Sequence, residues 1–177
     1  MAAEDTAEKD TPAEDNGKQQ NPTRYTDIVR AMPREKFLEV LSVSTRQSRE
    51  AYFARHGIKS PPSPRGFAKP GAKNEIRAAG LYDALQKQVD EQLSEELLRT
   101  WLLNKRQMLA AALDHLKIEH DNGLTESDDV DRFEKLDADE TKVLVAALKA
   151  VAPADEVAAY LKYMGAQHVD EALGATV

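Results

Sequence analysis

The stretch Ser94–Leu116, SEELLRTWLLNKRQMLAAALDHL, decides the fold class. At about 100° per residue, Leu97, Trp101, Met108, Ala112, Leu109 and Leu113 fall within one arc of about 160°. Ser94 reads as an N-cap, since a serine hydroxyl can accept from a backbone N–H two or three residues on. A long helix with so broad an apolar face needs cover from several neighbours, so this is the expected central helix of a bundle. Lys105 interrupts the pattern at about 80°, in the middle of the apolar arc. Two readings follow. Its stem packs while the ammonium reaches water, or the cation is held for a partner's carboxylate or a buried ion pair.

The helical pattern extends to either side. Upstream, Ala78, Leu81, Tyr82, Leu85, Val89 and Leu93 share one face. Downstream, Asp137 and Glu140 have capping-box spacing ahead of a helix whose Val143, Leu144, Ala147, Leu148 and Val151 make one stripe. A tight "APADE" turn then leads through Pro153 into a helix carrying Val157, Tyr160, Leu161 and Met164, with Gly165 as its stop. Two short amphipathic helices so joined read as an αα-hairpin. No alternating pattern competes, so the class is all-α: a small helical bundle over 74–165 with a C-terminal αα-hairpin, then a tail over 166–177.

The N-terminal half is organised differently. Residues 1–22 have no large apolar side chain beyond Met1, too little to offset the entropy of ordering, so a disordered acidic tail is expected. A helical arm over 23–57 follows, with Pro33 near a first turn and Gly57 as terminator. Ser44, Thr45 and Ser48 interrupt its stripe. Either two shorter helices meet there, or small residues admit a neighbouring helix. Residues 58–73 form a Pro/Gly-rich basic linker, since Gly57–Lys73 holds four of the eight prolines and three of the eight glycines.

Charge is segregated along the chain. Residues 1–21 hold two Lys against six acids, residues 22–80 twelve Lys/Arg against five, and residues 81–177 ten against twenty. That layout suggests an acidic partner for the central segment, or the chain's own acidic half in that role. With no cysteine, there is no disulfide framework, zinc-cysteine site or thiol nucleophile. No run approaches the roughly 20 apolar residues of a membrane span, and "MAAEDTAEKD" lacks the regions of a secretory signal. A cytoplasmic protein making no use of a membrane is the expectation.

Sites are weighed against this background. The acidic loop Asp114–Asp131, DHLKIEHDNGLTESDDVD, invites a metal reading. His115 and His120 are five apart, about 140° around a helix, and so diverge. Aligning Gly123 with the invariant glycine of a calcium loop puts Ile118 where a carboxylate is required and Asp129 in place of the closing Glu. An irregular cation site on Asp128, Asp129 and Asp131 is the surviving metal option. The stretch reads better as a helix C-terminus, with His120 near the last carbonyls and Asn122–Gly123 as its positive-φ stop, then the acid-rich start of a short helix carrying Val130 and Phe133, with His115 at the edge of the core. No nucleophile elbow, phosphate loop or dinucleotide motif occurs, no carboxylate pair stands out, and no cofactor is implied.

The leading reading is therefore a non-enzymatic protein–protein interaction module, an adaptor or assembly element. Its expected contacts are apolar Phe37, Leu41, Tyr52 and Phe53, with charge steering from Arg55, Lys59, Arg65, Lys69 and Lys105. An alternative is a nucleic-acid-binding accessory protein using residues 46–77, where cations alternate with aromatic rings. A third is a helical enzyme whose site the fold assembles out of sequence order.

Overall fold

In the computed structural model, which describes residues 25–55, 82–83 and 91–174, the stretch Ser94–Leu116 forms two helices. The described α-helices are α1 (Tyr25–Ala31), α2 (Arg34–Val43), α3 (Arg46–Arg55), α4 (Glu91–Leu102), α5 (Arg106–His115), α6 (Ala138–Leu148), α7 (Ala154–Tyr163) and α8 (Val169–Gly174). A 3₁₀ helix spans Asp128–Phe133. Among the described residues no strand forms, only an isolated bridge between Asp121 and Leu124. The class is all-α, as the periodicity predicts. The expected tail over 1–22, the linker over 58–73 and the stop at Gly57 lie outside the described residues.

The single central helix is the first expectation to fail. The break falls at Leu103–Lys105, where Asn104 N–H donates to the Trp101 carbonyl (3.0 Å) and Lys105 N–H to that of Leu102 (2.8 Å). These are the tighter bonds of a 3₁₀ turn. The Asn104 side chain donates to the Thr100 carbonyl (2.8 Å), competing with the backbone ladder. Lys105, at φ −102° and ψ 42°, leaves helical geometry, and α5 starts after it. A helical wheel cannot register the break, because both halves have the same apolar period. Ser94 lies inside α4 and is fully buried, its hydroxyl 3.3 Å from that of Thr26.

α4 is the hub. It buries Leu93, Leu97, Leu98, Trp101 and Leu102, and α1, α2 and α3 all pack against it. At roughly 1.5–3 kcal/mol per buried large side chain, this packing outweighs any exposed ion pair in the fold. The Glu91 carboxylate also caps α1, accepting from the backbone of Tyr25 and Thr26 and from the Thr26 hydroxyl (2.9 Å). α2 and α3 meet at Ser44, which is extended (ψ 157°), while the Thr45 hydroxyl accepts from Ser48 N–H (3.1 Å). Both readings of this stretch hold, since Ser44 and Ser48 are buried and the Ser48 hydroxyl donates to Glu96 on α4.

Terminators and caps follow the sequence closely in the C-terminal half. The exception is α5, which ends before the expected stop at His120 and Asn122–Gly123, in a Schellman pattern with Ile118 N–H donating to Leu113 O (2.9 Å) across Lys117 at φ +56°. Asn122 (φ +47°) and Gly123 (φ +79°) then make the type I′ geometry of a tight turn, closed by Asp121 N–H to Leu124 O (2.7 Å) and its reciprocal (2.9 Å). The capping box at Asp137 and Glu140 forms. Pro153 caps α7, and Gly165 (φ +79°) ends it, with Ala166 N–H donating to Leu161 O (2.9 Å).

Three finer expectations are corrected. The buried face of α6 is Thr141, Leu144, Val145 and Leu148, whereas Val143 and Val151 are exposed, because α5 and α8 cover the helix one step round from its most apolar stripe. α6 and α7 are joined by the short turn, but α6 packs mainly on α5 and α8, and α7 on α8 and α1. The expected tail contains helix α8, with Val169 and Ala172 buried and Asp170 paired to Lys162 (2.6 Å).

Gly123 supplies a direct test. A Cβ there would stand 2.8 Å from the Arg106 carbonyl oxygen and 2.9 Å from Ala110 N, both backbone atoms, at a positive φ. Gly123→Ala is expected to lower unfolding free energy by at least about 2 kcal/mol. Gly174→Ala, with open space around it, should stay within about 1 kcal/mol of wild type. Urea denaturation of both variants checks the pair.

Candidate functional site

Three elements bring five charged groups to one indole. α2 contributes Lys36 and Glu39, one turn apart; the α4–α5 turn contributes Lys105; the first turn of α7 contributes Asp155 and Glu156. Trp101, the only tryptophan, is fully buried beneath them. Glu156 Oε1 accepts from both Lys36 Nζ and Lys105 Nζ, each at 2.7 Å. Glu39 Oε1 accepts from Lys105 Nζ (2.7 Å) and from Trp101 Nε1 (3.0 Å), and its Oε2 lies 3.2 Å from Lys36 Nζ. Asp155 adds a contact to Lys36 at 3.4 Å. The two ammonium groups stand 5.9 and 5.2 Å from the Trp101 ring centroid, inside cation–π range.

The electrostatics are those of a closed cluster. Burial works against the charge on Lys36 and Lys105, but hydrogen bonds to Glu156 and Glu39 outweigh it and hold both above the ordinary lysine value. For Glu39, burial pushes upward, yet Lys105, the Trp101 N–H and Lys36 bring its carboxyl down to about 2. Neither lysine nor Glu39 exchanges a proton near neutrality, so the chemistry of these three groups is cohesion rather than acid–base work. Lys105 is thus a partly exposed cation that already has carboxylate partners. Its carboxylates come from α2 and α7 of its own chain.

The expected contact residues fare differently from one another. Phe37, Leu41 and Phe53 have no exposed surface; they are core residues that seat the arm on α4, not a free docking face. The side chains of Tyr52 and Arg55, and all of Lys59, Arg65 and Lys69, lie outside the described residues. His115 is exposed, not at the core edge, because α5 turns it outward just before its end. His120 is the engaged histidine: its Nδ1 accepts from Gly123 N–H (3.2 Å) and its Nε2 faces Asp114 Oδ1 (3.1 Å). Among the described residues no three His, Asp or Glu side chains gather as a metal site. No described helix is long and apolar enough to cross a membrane.

A second feature is a cleft of about 550 Å³ between α1, the 3₁₀ helix and the end of α7. Tyr25 and Tyr163 line it, their rings 5.2 Å apart and tilted by 38°, with Met164, Val130, Asp131 and Glu134. Burial raises the Tyr25 phenol, and the carboxylates of Glu95, Glu91 and Glu134 raise it further. Glu91 caps α1 and Asp131 pairs with Lys135, but the Glu95 and Glu134 side chains have neither a cation nor a hydrogen-bond partner among the described residues. Val130, Tyr163 and Met164 also line a neighbouring groove of about 200 Å³. Its walls are Leu102, Leu109 and Leu113, and its rim is Leu103 and Leu124, exposed by 38% and 45%. Arg99 is a cationic wall of it.

Neither feature was legible at the residue level. Glu156 reads as an ordinary helix-start acid, favoured there by the helix dipole, and Lys36–Glu39 as a surface pair. The signals in the sequence were Lys105, a cation in the middle of an apolar arc, and Trp101, whose buried N–H requires an acceptor. No protein-family profile, curated protein or solved structure matches the chain.

The cluster carries its own tests. Glu156→Ala should cost about 2–4 kcal/mol, less than a fully buried pair because both ammonium groups keep some contact with water. Glu39 titrates in the folded state at about 2, against an ordinary 4.5. The unfolded chain therefore binds more protons in that window. The stability this carboxylate contributes is complete above about pH 4.5 and lost as pH falls toward 2. Chemical denaturation between these limits should show a shallower pH dependence for Glu39→Gln than for wild type.

Proposed function

We propose that this chain is a non-enzymatic protein-interaction module, an adaptor or assembly element. Its docking surface is the joined cleft and groove between α1, the α4–α5 turn, the Asp121–Leu124 turn and the end of α7. The observation that carries the reading is the exposure of Leu103 and Leu124 on the rim of a groove that runs into an aromatic cleft. Exposed apolar surface rimmed by polar groups is typical of interaction sites. The closed lysine–glutamate cluster supports the same reading in a different way. It fixes the arm to the bundle, so the surface is presented on a stiff scaffold and little ordering is required on binding. Cytoplasmic placement belongs to this proposal and rests on the lack of cysteine alone.

The test is affinity capture with the full chain as bait, with and without nuclease, beside a Leu103→Ser, Leu124→Ser bait. Both positions are exposed, so the double variant should keep its fold. The expected result is a protein partner that survives nuclease and is lost from the variant. Retention of nuclease-sensitive material alone would favour nucleic-acid binding through residues 46–77. Recovery of nothing by either bait would remove the reading.

A further inference from the structure

The groove and cleft differ in chemistry, and the difference names the occupant. The groove side is aliphatic, with Leu102, Leu109 and Leu113 behind Leu103 and Leu124. The cleft side pairs two tyrosine faces with carboxylates. Among the described residues its lining lysine, Lys162, is already tied to Asp170 at 2.6 Å. Glu134 lines the cleft and is left without a counter-ion among the described residues; the Glu95 charge also acts on both tyrosines, with Arg99 opposing it at Tyr163. Uncompensated carboxylates beside aromatic faces attract a cation twice, through charge and through the ring quadrupole. Residues 81–177, which supply most of this surface, hold twenty acids against ten bases, so the wider field has the same sign.

We infer that the surface recognises a basic amphipathic segment of a partner protein, with a Lys or Arg side chain between Tyr25, Tyr163 and Glu134 and an apolar side chain in the leucine groove. This rests on the proposed docking surface and deepens it. Val130, Tyr163 and Met164 line both depressions, so one short segment can reach the two together. An amphipathic helix laid into a groove has apolar and charged residues at the needed spacing. An acidic segment would meet repulsion at Glu134 and from the Glu95 charge, and a neutral apolar one would leave Glu134 unpaired.

The test uses three fluorescein-labelled peptides of about twelve residues, long enough for three helical turns. One has Lys and Leu on opposite faces, the second has Glu in place of Lys, and the third has Ser in place of Leu. Fluorescence anisotropy with the full chain at low salt should rank Lys/Leu above both others by about tenfold or more in Kd. Glu95→Gln with Glu134→Gln should weaken the Lys/Leu peptide about three- to tenfold and reduce its salt dependence, while leaving Tm unchanged. Leu124→Ser should weaken the Lys/Leu peptide and leave the Lys/Ser peptide unaffected. Equal binding of the Glu/Leu peptide, or indifference to the double Gln variant, would overturn the inference. So would a chain dimer that the double Gln variant abolishes, because the occupant would then be a second copy. If no peptide binds while capture of a partner still depends on Leu103 and Leu124, the inference fails and the docking surface stands. If capture fails as well, both fall.

Discussion

One carboxylate, that of Glu156, receives two ammonium groups from different parts of the chain, and the arrangement of the helices depends on it. Lys36 comes from the arm and Lys105 from the turn between α4 and α5, each 2.7 Å from the same oxygen. Glu156 itself opens α7 and is 93% hidden from water as a side chain, since only 7% of it is exposed. Removing such charges from water is costly, so the group is tolerated only when partners converge with good geometry. That requirement makes the contact specific. α2, the α4–α5 turn and α7 can satisfy it together in few relative placements, whereas apolar surfaces alone slide with little penalty.

Trp101 makes the cluster possible. Its ring gives a dry floor for the two cations, and its N–H is satisfied by Glu39, which also draws Lys105 inward. The break at Leu103–Lys105 has the same logic. A continuous helix would fix Lys105 by the helical wheel; the turn instead releases its backbone to φ −102° and ψ 42°, and its ammonium meets α2 and α7. Stability comes mainly from packing on α4, while the cluster sets which helices face one another. With the arm so fixed, Tyr25 at the start of α1 is brought to Tyr163 at the end of α7, and the cleft exists because of that meeting.

What was legible in the sequence divides by range. Several local signals carried well: the capping box at Asp137, the helix start at Pro153 and the stop at Gly165 each need only a few neighbouring residues, whereas the cap expected at Ser94 and the helix stop expected at Asn122–Gly123 did not form as such. Helical class followed from apolar period. Which face is buried followed less well, as Val143 shows, because neighbours decide that and Ala and Val pattern weakly. The continuous helix over 94–116 misled, since Asn104 and Lys105 do not announce a break as Pro or Gly would. Lys105 did stand out, on an angle drawn for a helix that ends before it, and the fold places it between the two readings: its ammonium is paired with Glu39 and Glu156 yet keeps partial contact with water. Its partners, 66 and 51 residues away, have no local signature. Phe37, Leu41 and Phe53 are apolar for an internal reason: the surface they dock on belongs to their own chain.

The central claim is that Lys36 and Glu156 couple the arm to α7. A double-mutant cycle with Lys36→Met and Glu156→Gln, followed by urea denaturation, isolates that coupling from the effect of each residue alone. The account predicts a coupling free energy of at least about 1 kcal/mol, as for partly buried charge-assisted hydrogen bonds. Additivity within about 0.5 kcal/mol would contradict it and leave the arm held by packing alone.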